Sequence, residues 1–276
     1  MAGEIVAPDP ALPLRGVIFD LGGTLMHGDG YWEDFLAPGL EALEEYAAER
    51  LGGAAARSLA AAFERNWRAV LERYDHDQPE VPAEEVLRRA AAEAGLLEEG
   101  WARESGFDPV RALDLFLAPE LSSWRALPGA VELLRALRAM GLRVGLISNA
   151  SRHRFVLQEV ERFGFAPYLD PVVTSAGFGR RKPSPAIFRH VLDRWRLEPG
   201  EVAMVGDLLQ ADVEGARRTG MRSIWLTLVP NSWNDPYVGR IEPEATAGSY
   251  PEVLAILRRW WKASGEGEEA ASGSAS

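Results

Sequence analysis

The chain has 276 residues, 47% hydrophobic and 26% charged, a profile that excludes wholesale disorder and fits one large globular domain or two modest ones. With no cysteine and only four histidines, it has no thiolate zinc site, cysteine nucleophile or disulfide scaffold. Acidic residues outnumber basic ones 41 to 30, and a net charge of −11 argues against nucleic acid as a main partner.

The N-terminal stretch to Gly16 has no basic-then-apolar signal pattern. No run of about 18 apolar residues occurs anywhere, so a cytoplasmic location with no membrane partner is the expectation. Leu14 to Asp20 is a short apolar run closed by Gly22 and Gly23, which predicts a buried strand entering a tight turn. From about Gly28 to Leu127 the strand signals vanish and Ala, Leu, Glu and Arg dominate. Helices are predicted at Tyr31 to Arg50, Ala54 to Tyr74, Ala83 to Ala94 and Pro109 to Leu117, a small bundle of their own.

Strand and helix signals then alternate. Strands are predicted at Arg143 to Ser148, Val172 to Ser175, Val202 to Gly206 and Arg222 to Leu228. Helices are predicted at Pro128 to Met140, Arg152 to Phe163, Ser184 to Arg196 and Ala211 to Thr219, with Gly141, Gly164 and Gly220 as terminators. Such alternation predicts an α/β fold, a doubly wound parallel sheet with helices on both faces. The expected domains are a core of residues 1–27 and 128–263 and an inserted all-helical cap of 28–127. Residues 264–276, only Gly, Ser, Ala and Glu, read as a disordered tail, and Trp260-Trp261 are expected to close the last helix against the sheet.

Ligands in parallel α/β sheets bind past the carboxyl ends of the strands. There the sequence sets Asp20, Ser148-Asn149, Gly206-Asp207 and, after the third strand, Lys182, one of only two lysines in the chain. An attacking carboxylate, a hydroxyl and an amine for phosphoryl oxygens, and further acids for a metal make up the inventory for phosphoryl transfer with Mg²⁺.

Four ordered segments, Phe19-Asp20-Leu21-Gly22-Gly23-Thr24-Leu25, Ser148-Asn149, Lys182-Pro183, and Gly206-Asp207 with Asp212, resemble the motifs of the haloacid dehalogenase superfamily. The insertion after the first motif resembles the helical cap of its phosphatase-like branch on a Rossmann-like core. The resemblance implies an aspartyl-phosphate on Asp20, with Thr24 beside it in the turn. Ser148 and Asn149 would face the phosphorylated substrate, and Lys182 would offset charge. Asp20, the Gly22 carbonyl, Asp207 and Asp212 would hold Mg²⁺. The implied partner is a small phosphorylated metabolite.

The departure is Gly22, where phosphatases of this family carry a second Asp as general acid and base. His27, Asp29, Glu33 and Asp34 are candidates to replace it. Two other readings stand beside the phosphatase: a dehalogenase-like hydrolase, which needs no metal, and a non-catalytic relative that binds a phosphorylated ligand or a protein. A Schiff-base mechanism like that of phosphonoacetaldehyde hydrolase is excluded, because the predicted cap contains no lysine.

Overall fold

The computed structural model describes residues 12–30, 32–72, 79–96 and 101–262. The chain divides into two compact units, one of Met1–His27, His76–Pro79 and Arg125–Ser276, the other of Gly28–Asp75 and Glu80–Trp124. The expected tail, 264–276, lies outside the described residues, as do Tyr31 and Tyr74 at the ends of two predicted helices.

After strand β1 (Gly16–Phe19) and the short β2 (Met26–Gly28) come the helices of the second unit. They are α1 (Trp32–Leu51), α2 (Gly53–Glu72), α3 (Ala83–Glu93), α4 (Trp101–Ser105) and α5 (Pro109–Ser123). In α2, Ala56, Leu59, Ala60, Phe63 and Trp67 recur at three- and four-residue spacing and are buried, the helical stripe that makes this segment a helix. The Phe116 ring of α5 meets Phe63 edge-on at 4.7 Å and Trp67 at 5.1 Å. Asp108 caps α5 by accepting from Val110 N at 2.9 Å, and Pro109 fills the first helical position. This helix runs six residues past its predicted end, across Pro119, where the Ser122 and Ser123 hydroxyls supply donors to the Pro119 and Glu120 carbonyls.

The first unit continues through β3 (Trp124–Ala126), α6 (Ala130–Ala139), β4 (Arg143–Ser148), α7 (His153–Arg162), β5 (Val172–Thr174), α8 (Ser175–Phe178) and α9 (Pro185–Trp195). Then follow β6 (Val202–Gly206), a π-helical turn (Leu209–Val213), α10 (Glu214–Thr219), β7 (Arg222–Leu226), β8 (Ala245–Ala247) and α11 (Tyr250–Lys262). Six strands form one parallel sheet in the order β5-β4-β1-β6-β7-β8. The connections run one way from β1 to β4 and β5 and the other way to β6, β7 and β8, so the strand order reverses between β1 and β6. In open α/β sheets such a switch point opens the crevice where ligands sit.

Trp195 explains why β1 and β4 carry glycines. A Cβ on Gly16 would come within 2.7 Å of the Trp195 ring and one on Gly145 within 2.8 Å, so both bare positions let the indole lie against the sheet. Its ring N–H donates to the Asp170 carbonyl at 2.9 Å. Ile18, Ile147, Val173, Ile187, Phe188, Val191 and Met204 close the core around it.

Two expectations change. The predicted helix from Ala211 begins earlier, as a π-turn at Leu209, where Val213 N lies 3.4 Å from the Leu208 carbonyl that also accepts from Asp212 N at 2.8 Å. Trp260 is buried and its ring faces the Arg222 guanidinium at 5.2 Å, whereas Trp261 is 40% exposed, since neighbours on a helix point about 100° apart. Among the described residues no helix is long and apolar enough to cross a membrane.

Candidate active site

Lys182 is the hub. It is 2% exposed, and its Nζ donates to Asp20 Oδ1 at 2.5 Å, Asp212 Oδ1 at 2.6 Å and the Ile147 carbonyl at 2.8 Å, which uses all three ammonium protons. Burial works against its charge, but Asp20 and Asp212 outweigh burial and hold its pKa above the ordinary lysine value. Asn149 fixes its backbone: Oδ1 accepts from Lys182 N at 2.8 Å, and Nδ2 donates to Lys182 O at 3.0 Å. Asn149, expected to meet substrate, is thus engaged with the lysine main chain.

Asp20 stands one residue past β1, with its N–H on the Val205 carbonyl at 3.0 Å. Burial is the main force raising its pKa above the carboxylate range, with Asp212 adding to it and Lys182 opposing. Asp207, one residue past β6, is raised further, again chiefly by burial, then by the charges of Asp20 and Asp212, against the Asn231 hydrogen bond and Lys182. Asp212 is fully buried in the π-turn, where Oδ2 accepts from Leu208 N at 3.0 Å and the side chain packs on Gly206.

The first motif folds as a tight loop in which Leu25 N and Met26 N both donate to the Leu21 carbonyl, at 2.8 and 3.0 Å. Gly23 carries φ +74°, and a Cβ there would lie 2.5 Å from Asp207 Oδ2, so this position needs glycine twice over. Gly22, by contrast, does not have positive φ. Thr24, expected beside the nucleophile, is fully buried, with its hydroxyl on Asp207 Oδ1 at 3.3 Å and its carbonyl accepting from Tyr250 OH at 2.6 Å. Ser148 ends β4 and is 6% exposed, and the loop beyond it is pinned by Ser175 Oγ, which accepts from Ala150 N at 2.9 Å. His27 is exposed on β2, and Asp29, Glu33 and Asp34 are exposed residues of the helical unit.

Asp20, Asp207 and Asp212 bring one carboxylate oxygen each to within 4.8 Å of one another, all buried. With all three carboxylates ionised, the one ammonium leaves two negative charges in the group for a cation to balance. An all-oxygen donor set of that charge fits a hard divalent cation such as Mg²⁺.

Three supports had no signal in the sequence. Asn231 Nδ2 donates to Asp207 Oδ2 at 2.9 Å, while Asn234 Nδ2 and Trp225 Nε1 both donate to the Asp207 carbonyl, at 2.9 and 3.0 Å. An asparagine in a Pro- and Ser-containing loop reads as an ordinary turn residue, and the contact spans 24 residues.

Residues 14–220 match the family of haloacid dehalogenase-like hydrolases. The bovine haloacid dehalogenase-like hydrolase domain-containing protein 3 is 39% identical over 103 residues, 37% of this chain and 40% of that protein, so the likeness spans under half of the relative. The pyrimidine 5'-nucleotidase YjjG of Escherichia coli is 31% identical over 162 residues, 58% of this chain and 68% of that protein. The phosphoserine phosphatase of Thermus thermophilus is 34% identical over 51% of this chain and 58% of its own. Among solved structures, a 2-haloacid dehalogenase from Pseudomonas syringae pv. Tomato superposes with a TM-score of 0.60 at 24% identity, covering 90% of this chain and 99% of that one. A HAD phosphatase from Thermococcus onnurineus gives 0.56 at 22%, covering 88% and 98%. At these identities the structural likeness speaks to the fold.

Proposed function

The chain belongs to the haloacid dehalogenase-like hydrolases, and from that premise we propose that it is a Mg²⁺-dependent phosphatase of a small phosphorylated molecule. The observation that carries this reading is the buried group of Asp20, Asp207 and Asp212 with Lys182 as its one cation among the described residues. Three clustered carboxylates beside one ammonium are a donor set that a divalent cation would balance, which favours the metal-dependent reading over the metal-free dehalogenase-like one. Net charge −11 favours a small-molecule partner over nucleic acid.

In this reading Asp20 is the nucleophile. One carboxylate oxygen attacks phosphorus, the bond from phosphorus to the leaving oxygen breaks, and the leaving group departs with the electron pair. Water then attacks the phosphorus of phospho-Asp20, the bond from phosphorus to the Asp20 carboxylate oxygen breaks, and inorganic phosphate leaves, the water's protons going to the phosphate and solvent, with the Asp20 carboxylate regenerated. Lys182 holds Asp20 in place and offsets charge between it and the transferring group, and the Ser148 hydroxyl donates to a phosphoryl oxygen. Asp20, Asp207 and Asp212, with the Gly22 carbonyl, would hold Mg²⁺, which supplies charge neutralisation of the phosphoryl oxygens when bound. Gly22 has no side chain to protonate the leaving oxygen, so esters whose leaving group departs as a stable anion are the favoured substrates.

The test is turnover of an aryl phosphate by wild type and Asp20→Asn, with and without Mg²⁺. Metal-dependent hydrolysis lost in Asp20→Asn is expected. A rate untouched by chelation would favour the dehalogenase-like reading, and no turnover at all the binding-only one.

A further inference from the structure

We propose that Asn231 is a positioning residue for Asp207 and that it sets the affinity of the site for divalent cations. The inference rests on the metal reading given above, and it assigns work to a turn outside all four motifs.

Asp207 is the least supported of the three carboxylates by charge. Lys182 bonds Asp20 and Asp212, and among the described residues no cation bonds Asp207. Its orientation is instead held by neutral donors: Thr24 on Oδ1 at 3.3 Å and, closer, Asn231 on Oδ2 at 2.9 Å. The torsion that turns a carboxylate about its own axis is broad, so a ligand of this kind is placed by its hydrogen bonds rather than by its rotamer.

The turn that carries Asn231 is built as a grip. Asn231 Oδ1 accepts from Trp233 N at 3.1 Å and so closes the turn Ser232–Asn234, leaving Nδ2 for Asp207. At the other end Asn234 is 4% exposed, donates through Nδ2 to the Asp207 carbonyl at 2.9 Å and accepts through Oδ1 from Leu209 N at 2.8 Å. One turn thereby holds residue 207 by its side chain and its main chain, together with the start of the π-turn that carries Asp212. All of these residues belong to the same unit. Hydrogen bonds that orient ligating groups from behind typically change metal affinity or activity about 10- to 100-fold when removed.

Asn231 does two separable things, and the substitutions divide them. Asn231→Ser keeps a side-chain oxygen able to cap the turn but is too short to reach Asp207. Asn231→Ala removes both roles, and Trp233→Ala alters the same turn without touching Asp207. Mg²⁺ binding is measured by calorimetry on the full chain, alongside thermal melting. Expected are wild-type melting for Asn231→Ser with Mg²⁺ affinity about 10-fold or more weaker, equal weakening in Asn231→Ala, and unchanged affinity in Trp233→Ala. The metal concentration for half-maximal aryl phosphate turnover should rise in step while the rate at saturating metal returns towards wild type. If Asn231→Ser binds Mg²⁺ as wild type does, Asn231 only caps its turn and the proposal falls. If wild type binds no Mg²⁺, the metal reading falls and takes this one with it.

Discussion

The ammonium of Lys182 lies 2.5 Å from Asp20 and is buried with it, so the proposed nucleophile and its counter-charge are one unit. Replacing Lys182 with Met keeps much of the length and removes the charge. Removing one partner of a buried ion pair costs about 3–5 kcal/mol, and here two carboxylates lose their cation at once. Lys182→Met is expected to melt well below wild type at neutral pH, to regain stability on acidification, and to lose aryl phosphate turnover. Melting like wild type at neutral pH would contradict the pairing.

Burial and mutual repulsion hold Asp20 and Asp207 above the carboxylate range. The folded protein therefore keeps protons that the unfolded chain releases once pH passes about 4. Stability from these groups is full below that value and is lost as pH rises through their raised folded-state values. Metal-free wild type should lose stability from about pH 5 to about pH 8, and Asp207→Asn should lose less over the same range. Denaturant melts at several pH values check this, and parallel curves for the two proteins would refute it. Saturating Mg²⁺ should flatten the wild-type slope.

Gly22 does not have the positive φ that marks its neighbour Gly23, so the backbone does not oppose a side chain there on that ground. Gly22→Asp should fold and raise kcat/KM on alkyl phosphates more than on aryl phosphates, within the roughly 10²- to 10⁴-fold that a positioned acid supplies. The alkyl-to-aryl ratio is the measurement. An unchanged ratio in a folded variant would mean that another group already donates the proton. In wild type, phospho-Asp20 should accumulate as a burst, because no carboxylate at residue 22 activates the water.

Gly145→Ala would put a methyl 2.8 Å from the Trp195 ring at the centre of the core, and overpacking of that kind costs about 1–3 kcal/mol. The expected result is a lowered melting temperature with little change in kcat. Gly141→Ala, where nothing lies within 4 Å but φ is +80°, is the comparison for backbone strain alone.

The alternation of apolar runs and bounded helices was enough to read the parallel core, because buried strands such as Val202–Gly206 are apolar throughout and helices carry boundary signals, such as Pro185 at the start of one and Gly220 at the end of another. The edge strand Ala245–Ala247 was not legible, being three residues with one exposed side chain and no period to detect. The cluster of Asp20, Lys182, Asp207 and Asp212 was legible because each stands in a recognisable string at or beyond the end of a predicted strand. What each residue touches was a different matter. Thr24 turns towards Asp207 and Asn149 towards the Lys182 backbone, and Asn231 reaches in from a loop whose spelling says only that the chain bends there.

β1 lies between two strands made much later, Gly16 facing Arg143 on one side and Val202 on the other. During synthesis its residues Val17, Ile18 and Phe19, completely buried in the finished fold, emerge with no strand to pair with. At about 5–20 residues per second, completion of the second neighbour trails them by roughly ten to forty seconds. The helical insert, with its shorter-range contacts, emerges whole in that interval and can fold while β1 waits. Asp20, the proposed nucleophile, thus leaves the ribosome early, at the end of a strand whose two neighbours both come later.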